Sequence, residues 1–145
     1  LSVDAAAFNA AYQARLGETA IPRDDSVALV TSLRGRVRQY VVSNGTVQAQ
    51  TAKLRRSGLD RLMDGIFLSE KIGAEKPDIA FFDAVFAAIG PVKKEEVLIV
   101  GDSLTSDIQG GRNAGIQTCW YAPAGGESPL PHHTIRDLHE VLALL

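Results

Sequence analysis

The feature that most constrains the fold is the apolar run VLIV at residues 97–100, which contains no polar side chain. An unbroken apolar run of this length is typical of a parallel strand that is covered on both faces. Parallel neighbours must be joined by crossover connections, which are usually helices. The run therefore predicts that other strands alternate with helices along the chain.

Strands and helices do alternate in the predicted elements from residue 37 onward. Strands are predicted at residues 37–43, 65–69, 97–100 and 118–122. Helices are predicted at residues 27–33, 46–57, 79–89, 104–113 and 135–145, with a further helix over 5–16, a loop over 18–24 and a longer loop over 123–134. This order is the pattern of an α/β fold with a doubly wound, Rossmann-like parallel sheet and right-handed crossovers.

Composition and charge exclude several classes of function. The 145 residues carry a formal net charge of −2 and a single cysteine, Cys119. This balance gives no attraction to nucleic-acid polymers or anionic membranes, and one cysteine excludes an intrachain disulfide and a thiolate zinc cluster. No apolar stretch approaches the roughly 20 residues of a membrane span. We therefore predict a cytoplasmic protein with no nucleic-acid or membrane partner.

Polar residues end the first predicted strand, at the sheet edge where doubly wound folds bind ligands. Ser43, Asn44 and Gly45 supply a hydroxyl, an amide and an unhindered backbone N–H just before a helix. Such groups can form a cradle for an oxyanion. The alternative is a simple strand-to-helix turn in which Ser43 or Thr46 caps the helix.

A lysine stands at a constrained position after the second predicted strand. Lys76 directly precedes Pro77, and Asp78 is placed to cap the next helix. Proline restricts the backbone of the residue before it, so Lys76 is held in place and would assist a phosphate bound nearby. The alternative is an ordinary solvated lysine in a polar loop.

Two aspartates follow the third predicted strand. Asp102 comes directly after the strand, and Asp107 lies about one helical turn further on. Mg²⁺ prefers carboxylate oxygens and retains several waters, so one or two aspartates at a strand end can hold it. Asp107 would bind a water of the metal or orient Lys76. In the alternative reading Asp102 forms a turn and Asp107 favours a helix dipole.

Together these residues carry a resemblance to the haloacid dehalogenase superfamily of phosphohydrolases over residues 26–145. Its second motif is similar to VVSNG at Ser43, its third to GAEKP at Lys76, and its fourth to GDSLTSD at Asp102 and Asp107. The segments SNGTVQAQTAKLRRSGL and GGRNAG…TCWY are most similar to the pyrimidine 5′-nucleotidase branch.

The resemblance implies a Mg²⁺-dependent phosphatase for a small phosphorylated metabolite, with nucleoside monophosphates first among the candidates. Ser43 and Lys76 would be catalytic and would bind the phosphoryl group, with Asn44 and Gly45 supporting it. Asp102 would be catalytic as a ligand of Mg²⁺, and Asp107 would support the metal site. Positioning and charge neutralisation are what phosphoryl transfer chiefly requires.

One family motif is missing. The first motif, a strand followed by D-x-D that supplies the nucleophile, has no counterpart, because no two aspartates are spaced in that way. The resemblance then implies that residues 1–25 are the tail of a helical cap and residues 26–145 a core without its first strand. We expect the chain to be a C-terminal portion of a phosphatase that is inactive alone.

Three other readings compete with the phosphatase. A non-catalytic phosphate-binding or regulatory module of the same fold would fit if the chain is complete. A response-regulator receiver would carry its acidic residues first in the chain, and a true dehalogenase would need no metal. The remaining polar and aromatic candidates are predicted as a loop feature or as packing: His132, His133, Cys119, Trp120 and Tyr121.

Overall fold

The computed structural model describes residues 26–145. The helix predicted over residues 5–16, the loop over 18–24 and the cap assignment of residues 1–25 lie outside this range. The chain divides into two compact units, one ending at Lys71 and one spanning Ile72–Leu145. No helix within residues 26–145 is long and apolar enough to cross a membrane.

The first unit contains a two-stranded parallel sheet. Its elements are α1 (Ser26–Leu33), β1 (Tyr40–Ser43), α2 (Val47–Ser57), a 3₁₀ turn (Leu59–Arg61), β2 (Gly65–Leu68) and the start of α3 (Ser69–Ile72). The sheet register runs from Tyr40 opposite Gly65 to Ser43 opposite Leu68. The apolar side chains buried here include Leu29, Leu33, Ala49, Leu54 and Leu68.

The second unit contains a three-stranded parallel sheet in the order β3-β4-β5. Its elements are α4 (Ile79–Ile89), a 3₁₀ turn (Lys94–Glu96), β3 (Leu98–Gly101), a π-helix (Leu104–Ile108), α5 (Gln109–Ala114), β4 (Gln117–Tyr121), β5 (His133–Ile135) and a 3₁₀ helix (Leu138–Leu144). All strand pairs of the described residues are parallel, which confirms the predicted α/β class.

Helix α4 begins where its capping residue predicts, but its buried face differs from the apolar stripe that helical spacing predicts, which consists of Ile79, Phe82, Val85, Phe86 and Ile89. The Asp78 side chain accepts a hydrogen bond from the Ala80 amide at 2.9 Å. Phe81, omitted from the stripe, is fully buried, whereas Ile79 is 48% exposed. At about 100° per residue, Ile79 lies about 110° from the centre of the face formed by the buried residues Phe81, Phe82 and Val85, and so outside that face. The prediction for Ile79 was therefore wrong.

Two adjacent glycines allow α5 to approach its neighbours closely. A Cβ atom on Gly110 would come within 2.7 Å of the Phe82 ring. One on Gly111 would lie 2.6 Å from side-chain carbons of both Ile99 and Thr118. Because real Cβ atoms do not approach so closely, a larger residue would force α5 away from α4 at position 110 and away from the sheet at position 111.

The carboxyl-terminal segment departs most from prediction. His133 and Thr134 belong to strand β5 instead of a loop, and Ile135 ends that strand instead of starting a helix. The last helix is 3₁₀ and begins at residue 138, because Asp137 caps it in a reciprocal box with Glu140. A three-residue strand is too short to show a period, so the pattern could not reveal it.

Cys119 and Tyr121 are buried as packing residues, as predicted. Burial raises the pKa of the Cys119 thiol to about 11, and Glu140 adds to the effect. The thiol is therefore protonated and unreactive at neutral pH.

A histidine clasp anchors the loop between β4 and β5. The Thr118 amide donates to Nδ1 of His132 at 3.1 Å, and the His132 amide donates to the Thr118 hydroxyl at 3.0 Å. The Thr118 side chain is fully buried, so these hydrogen bonds satisfy polar groups whose burial without a partner would destabilise the fold. Desolvation lowers the pKa of His132 below its ordinary value of 6.5, and Arg112 and His133 lower it further.

The clasp predicts acid-sensitive stability. The unfolded chain binds a proton on His132 more tightly than the folded chain does. The contribution of His132 to the free energy of unfolding should therefore be fully present above pH 6.5 and be lost as the pH falls below that value, toward the lower pKa of the folded state. The variant His132→Gln should flatten this slope in urea unfolding measured between pH 5 and 7.5. The control His139→Gln should keep it, and an unchanged slope in His132→Gln would contradict the assignment.

Candidate functional site

A buried ion pair lies beside the carboxyl end of β3. Lys76 is only 6% exposed, and its Nζ atom is 2.5 Å from Oδ1 of Asp107, which is also buried. Burying a lysine ammonium is unfavourable unless an opposite charge and good hydrogen-bond geometry compensate. The contact favours the reading in which Asp107 orients Lys76, and it is the arrangement around which the rest of the site is built.

Local sequence explains how Asp107 reaches the lysine. The Ser103 hydroxyl caps the π-helix by accepting the Ser106 amide at 3.1 Å, which starts the turn that carries Asp107. A Cβ atom on Gly101 would lie 2.3 Å from the Asp107 carboxyl carbon. Only glycine at position 101 therefore leaves room for the Asp107 side chain against the end of β3.

Asp102 follows β3 directly and is exposed, whereas the peptide that joins it to Ser103 is held on both sides. The Ser103 amide donates to Oδ2 of Asp107 at 3.2 Å. The Trp120 indole donates to the Asp102 carbonyl at 3.1 Å. Trp120 was predicted as a core residue but is half-buried, and its place opposite Gly101 in the sheet brings it to Asp102.

The segment before α4 is also tied to α5. The Lys76–Pro77 peptide bond is cis. The Asn113 side chain donates to the Pro77 carbonyl at 3.0 Å. This hydrogen bond links Pro77, which directly follows Lys76, to α5.

The predicted oxyanion cradle lies in the first unit. The Ser43 hydroxyl accepts the Gly45 amide at 3.1 Å, and Thr46, not Ser43, caps α2 by accepting the Ala49 amide. A Cβ atom on Gly45 would meet the Gln50 side chain at 2.3 Å, so a larger residue there would have to displace that side chain. The roles of Ser43, Asn44 and Gly45 toward phosphate remain predictions, as does their convergence with Lys76 and Asp102.

The carboxylates fit one side of a magnesium site. Within residues 26–145, no cluster of three or more His, Cys, Asp or Glu side chains is placed to hold a metal ion. Mg²⁺ is commonly bound by one or two carboxylates, with waters and substrate phosphate completing the octahedron. The exposed Asp102 at the strand end suits such a ligand, whereas Asp107 contacts Lys76 and the Ser103 amide. The roles of Asp102 and Asp107 toward the metal remain predictions.

A double-mutant cycle tests the energetic importance of the buried pair. We expect Lys76→Met and Asp107→Asn to destabilise the protein singly, and the double variant to lose less than the sum by about 1–3 kcal/mol. Urea unfolding of the four proteins at pH 7 measures this coupling. The exposed pair Lys93–Glu96, at 3.1 Å, is the control and should couple by about 0.5 kcal/mol or less. Equal coupling in both pairs would contradict the prediction.

A family model and curated relatives match this chain. A family model described as haloacid dehalogenase-like hydrolase matches residues 2–115. Pyrimidine 5′-nucleotidase YjjG of Escherichia coli (strain K12) is 34% identical over 148 residues, covering 100% of this chain and 66% of YjjG. N-acylneuraminate-9-phosphatase of Rattus norvegicus is 35% identical over 127 residues, covering 84% of this chain and 51% of the relative.

A solved structure matches nearly the whole chain. The magnesium-bound HAD-hydrolase YfnB of Bacillus subtilis superposes with a TM-score of 0.90 at 36% identity, over 99% of this chain and 64% of YfnB. The chain thus spans about half to two thirds of the length of these relatives. With a matching family model over most of its residues, the chain belongs to the haloacid dehalogenase-like hydrolases.

Proposed function

We propose that the chain is the carboxyl-terminal portion of a Mg²⁺-dependent phosphomonoester hydrolase. The observation that carries the proposal is the buried Lys76–Asp107 pair beside Asp102 at the end of β3. Asp107 contacts both Lys76 and the peptide after Asp102, so a cation and two carboxylates lie near the end of β3, and a site for phosphoryl transfer requires both charges.

Each residue of the second unit has a distinct role in this proposal. Lys76, oriented by Asp107, neutralises negative charge on the phosphoryl group as the bond to the leaving oxygen breaks. Asp102 would hold Mg²⁺, which when bound supplies charge neutralisation at the phosphoryl oxygens. Asp107 keeps the Lys76 ammonium in a single position, so that little reorganisation is needed during the reaction.

The first unit would contribute hydrogen bonds to the phosphoryl oxygens. The Ser43 hydroxyl accepts the Gly45 amide and retains its own proton for donation to a phosphate oxygen. Asn44 and Gly45 precede α2, whose positive dipole end favours an anion. Family resemblance assigns these residues to the same phosphate as Lys76.

The nucleophile would come from a segment outside this chain. No Asp-x-Asp pair occurs in the sequence, and the relatives are longer than the chain. In the described residues β3 pairs only with β4, and Val100 on β3 is 39% exposed. We infer that the open edge of β3 accepts the strand that carries the missing aspartates.

The substrate class is a small phosphorylated metabolite. YjjG acts as a pyrimidine 5′-nucleotidase, and the rat relative is an N-acylneuraminate-9-phosphatase. Because the sequence resemblance extends through the helix after Ser43 and the strand containing Trp120, we place pyrimidine nucleoside 5′-monophosphates first and phosphorylated sugars second.

A non-catalytic phosphate-binding module is the second candidate, and the absence of Asp-x-Asp from the sequence is the observation that favours it. The intact mass of the polypeptide from its native source separates the two. A mass near 15.5 kDa favours the binding module, whereas a mass larger by a cap and a strand favours the enzyme.

In the full-length polypeptide, Lys76→Met and Asp102→Asn should each lower kcat/KM for pyrimidine nucleoside monophosphates by about 100- to 1,000-fold, because each removes charge stabilisation from the transition state. Phosphate release in the presence of Mg²⁺ measures the effect. Lys93→Ala, which changes an exposed lysine, is the control and should retain activity. Retained activity in Asp102→Asn would contradict the assignment.

The chain of residues 1–145 should have no phosphatase activity alone, because it supplies no aspartate pair to attack phosphorus. Incubation with p-nitrophenyl phosphate and Mg²⁺ checks this. Sustained turnover that persists after repurification, and disappears in Asp102→Asn, would overturn the proposal that the nucleophile lies elsewhere.

A further inference from the structure

The Asp102–Ser103 peptide is clamped by two side chains from different elements. Oδ2 of Asp107, on the π-helix, accepts the Ser103 amide at 3.2 Å. The Nε1–H group of Trp120, on β4, donates to the Asp102 carbonyl at 3.1 Å. Both polar atoms of one peptide unit are thus fixed, and a fixed peptide plane restricts the direction of the Cα–Cβ bond of Asp102.

Position in the sheet accounts for the reach of Trp120. Its residue pairs with Gly101 in the parallel ladder between β3 and β4. Gly101 directly precedes Asp102, so the Trp120 side chain begins beside the end of β3 and extends from there to the Asp102 carbonyl. The indole N–H group can only donate, so the hydrogen bond to the Asp102 carbonyl satisfies the polar group of this half-buried side chain.

The other edge of the indole is packed against the loop that follows β4. A Cβ atom on Gly126, whose φ is +130°, would lie 2.8 Å from Cη2 of Trp120. The same loop is anchored at its far end by the hydrogen bonds between His132 and Thr118. The ring therefore lies between the anchored loop and the end of β3.

We propose that Trp120 is a positioning residue for the magnesium ligand Asp102. The inference rests on the proposed function. It gives Trp120 a role in the site, whereas the family resemblance implied no such role for any residue after the fourth motif. The indole hydrogen bond holds the Asp102 backbone so that its carboxylate is preorganised for the ion. Without it, the same carboxylate is present but must be ordered on binding, which weakens affinity.

The test is magnesium binding by calorimetry in the full-length polypeptide. Trp120→Phe keeps the ring and removes the donor, so the Kd for Mg²⁺ should rise about fivefold, the worth of one net hydrogen bond. The Mg²⁺ concentration for half-maximal phosphatase activity should rise in parallel, while kcat at saturating Mg²⁺ recovers. Tyr121→Phe, which removes a donor from the neighbouring residue of β4, is the control and should leave the Kd unchanged.

A second measurement follows the indole in the wild-type polypeptide, with Trp120→Phe used only to identify its resonance. In the wild-type polypeptide, the indole N–H resonance that is absent from Trp120→Phe should shift as Mg²⁺ is added, because its acceptor is the carbonyl of the proposed ligand, whereas an indole remote from the ion would not respond. Gly126→Ala provides a further variant, because its Cβ would displace the indole and should also raise the Kd.

The outcomes separate the inference from the proposed function. If Asp102→Asn weakens Mg²⁺ binding but Trp120→Phe and Gly126→Ala bind as the wild type, the positioning role is overturned and the proposed function stands. Indole resonances that do not move at saturating Mg²⁺ also overturn the role. If the wild type does not bind Mg²⁺, or Asp102→Asn binds it equally well, both are overturned.

Discussion

The buried contact between Lys76 and Asp107 is the interaction on which the candidate site depends. A lysine that is 6% exposed requires an opposite charge at close range, and Asp107 supplies it at 2.5 Å. Asp107 reaches that position because Ser103 caps the π-helix that carries it and because glycine at position 101 leaves room for its side chain. The spacing in GDSLTSD is therefore explained by the geometry of one ion pair.

The same pair connects the metal-binding candidate to the rest of the second unit. One oxygen of Asp107 contacts Lys76 and the other accepts the Ser103 amide, so a single carboxylate links the lysine to the peptide after Asp102. Trp120 holds the opposite side of that peptide. An exposed carboxylate on a rigid backbone is suited to bind a cation, because less conformational entropy is lost on binding.

Most of the fold was predictable because its signals are local. The Asp78 cap of α4 lies where it was predicted, and Thr46, one of the two candidate caps of α2, is the residue that caps it, because capping depends on short-range chemistry. Strand β5 and the late start of the last helix were missed, because a three-residue strand acquires its identity from pairing with β4. Ile79 was misassigned because the pattern shows which residues are apolar but not the centre of the buried face.

The α/β class, the family and the residue types at the strand ends could be read from the amino-acid order, because each depends on short segments. Tertiary structure alone decided that Asp107 faces Lys76, 31 positions away, and that Trp120 reaches Asp102 from the neighbouring strand. The physical reason is distance along the chain. Caps and apolar periods act within a few residues, whereas these contacts form only when helices and strands pack and set the register between them.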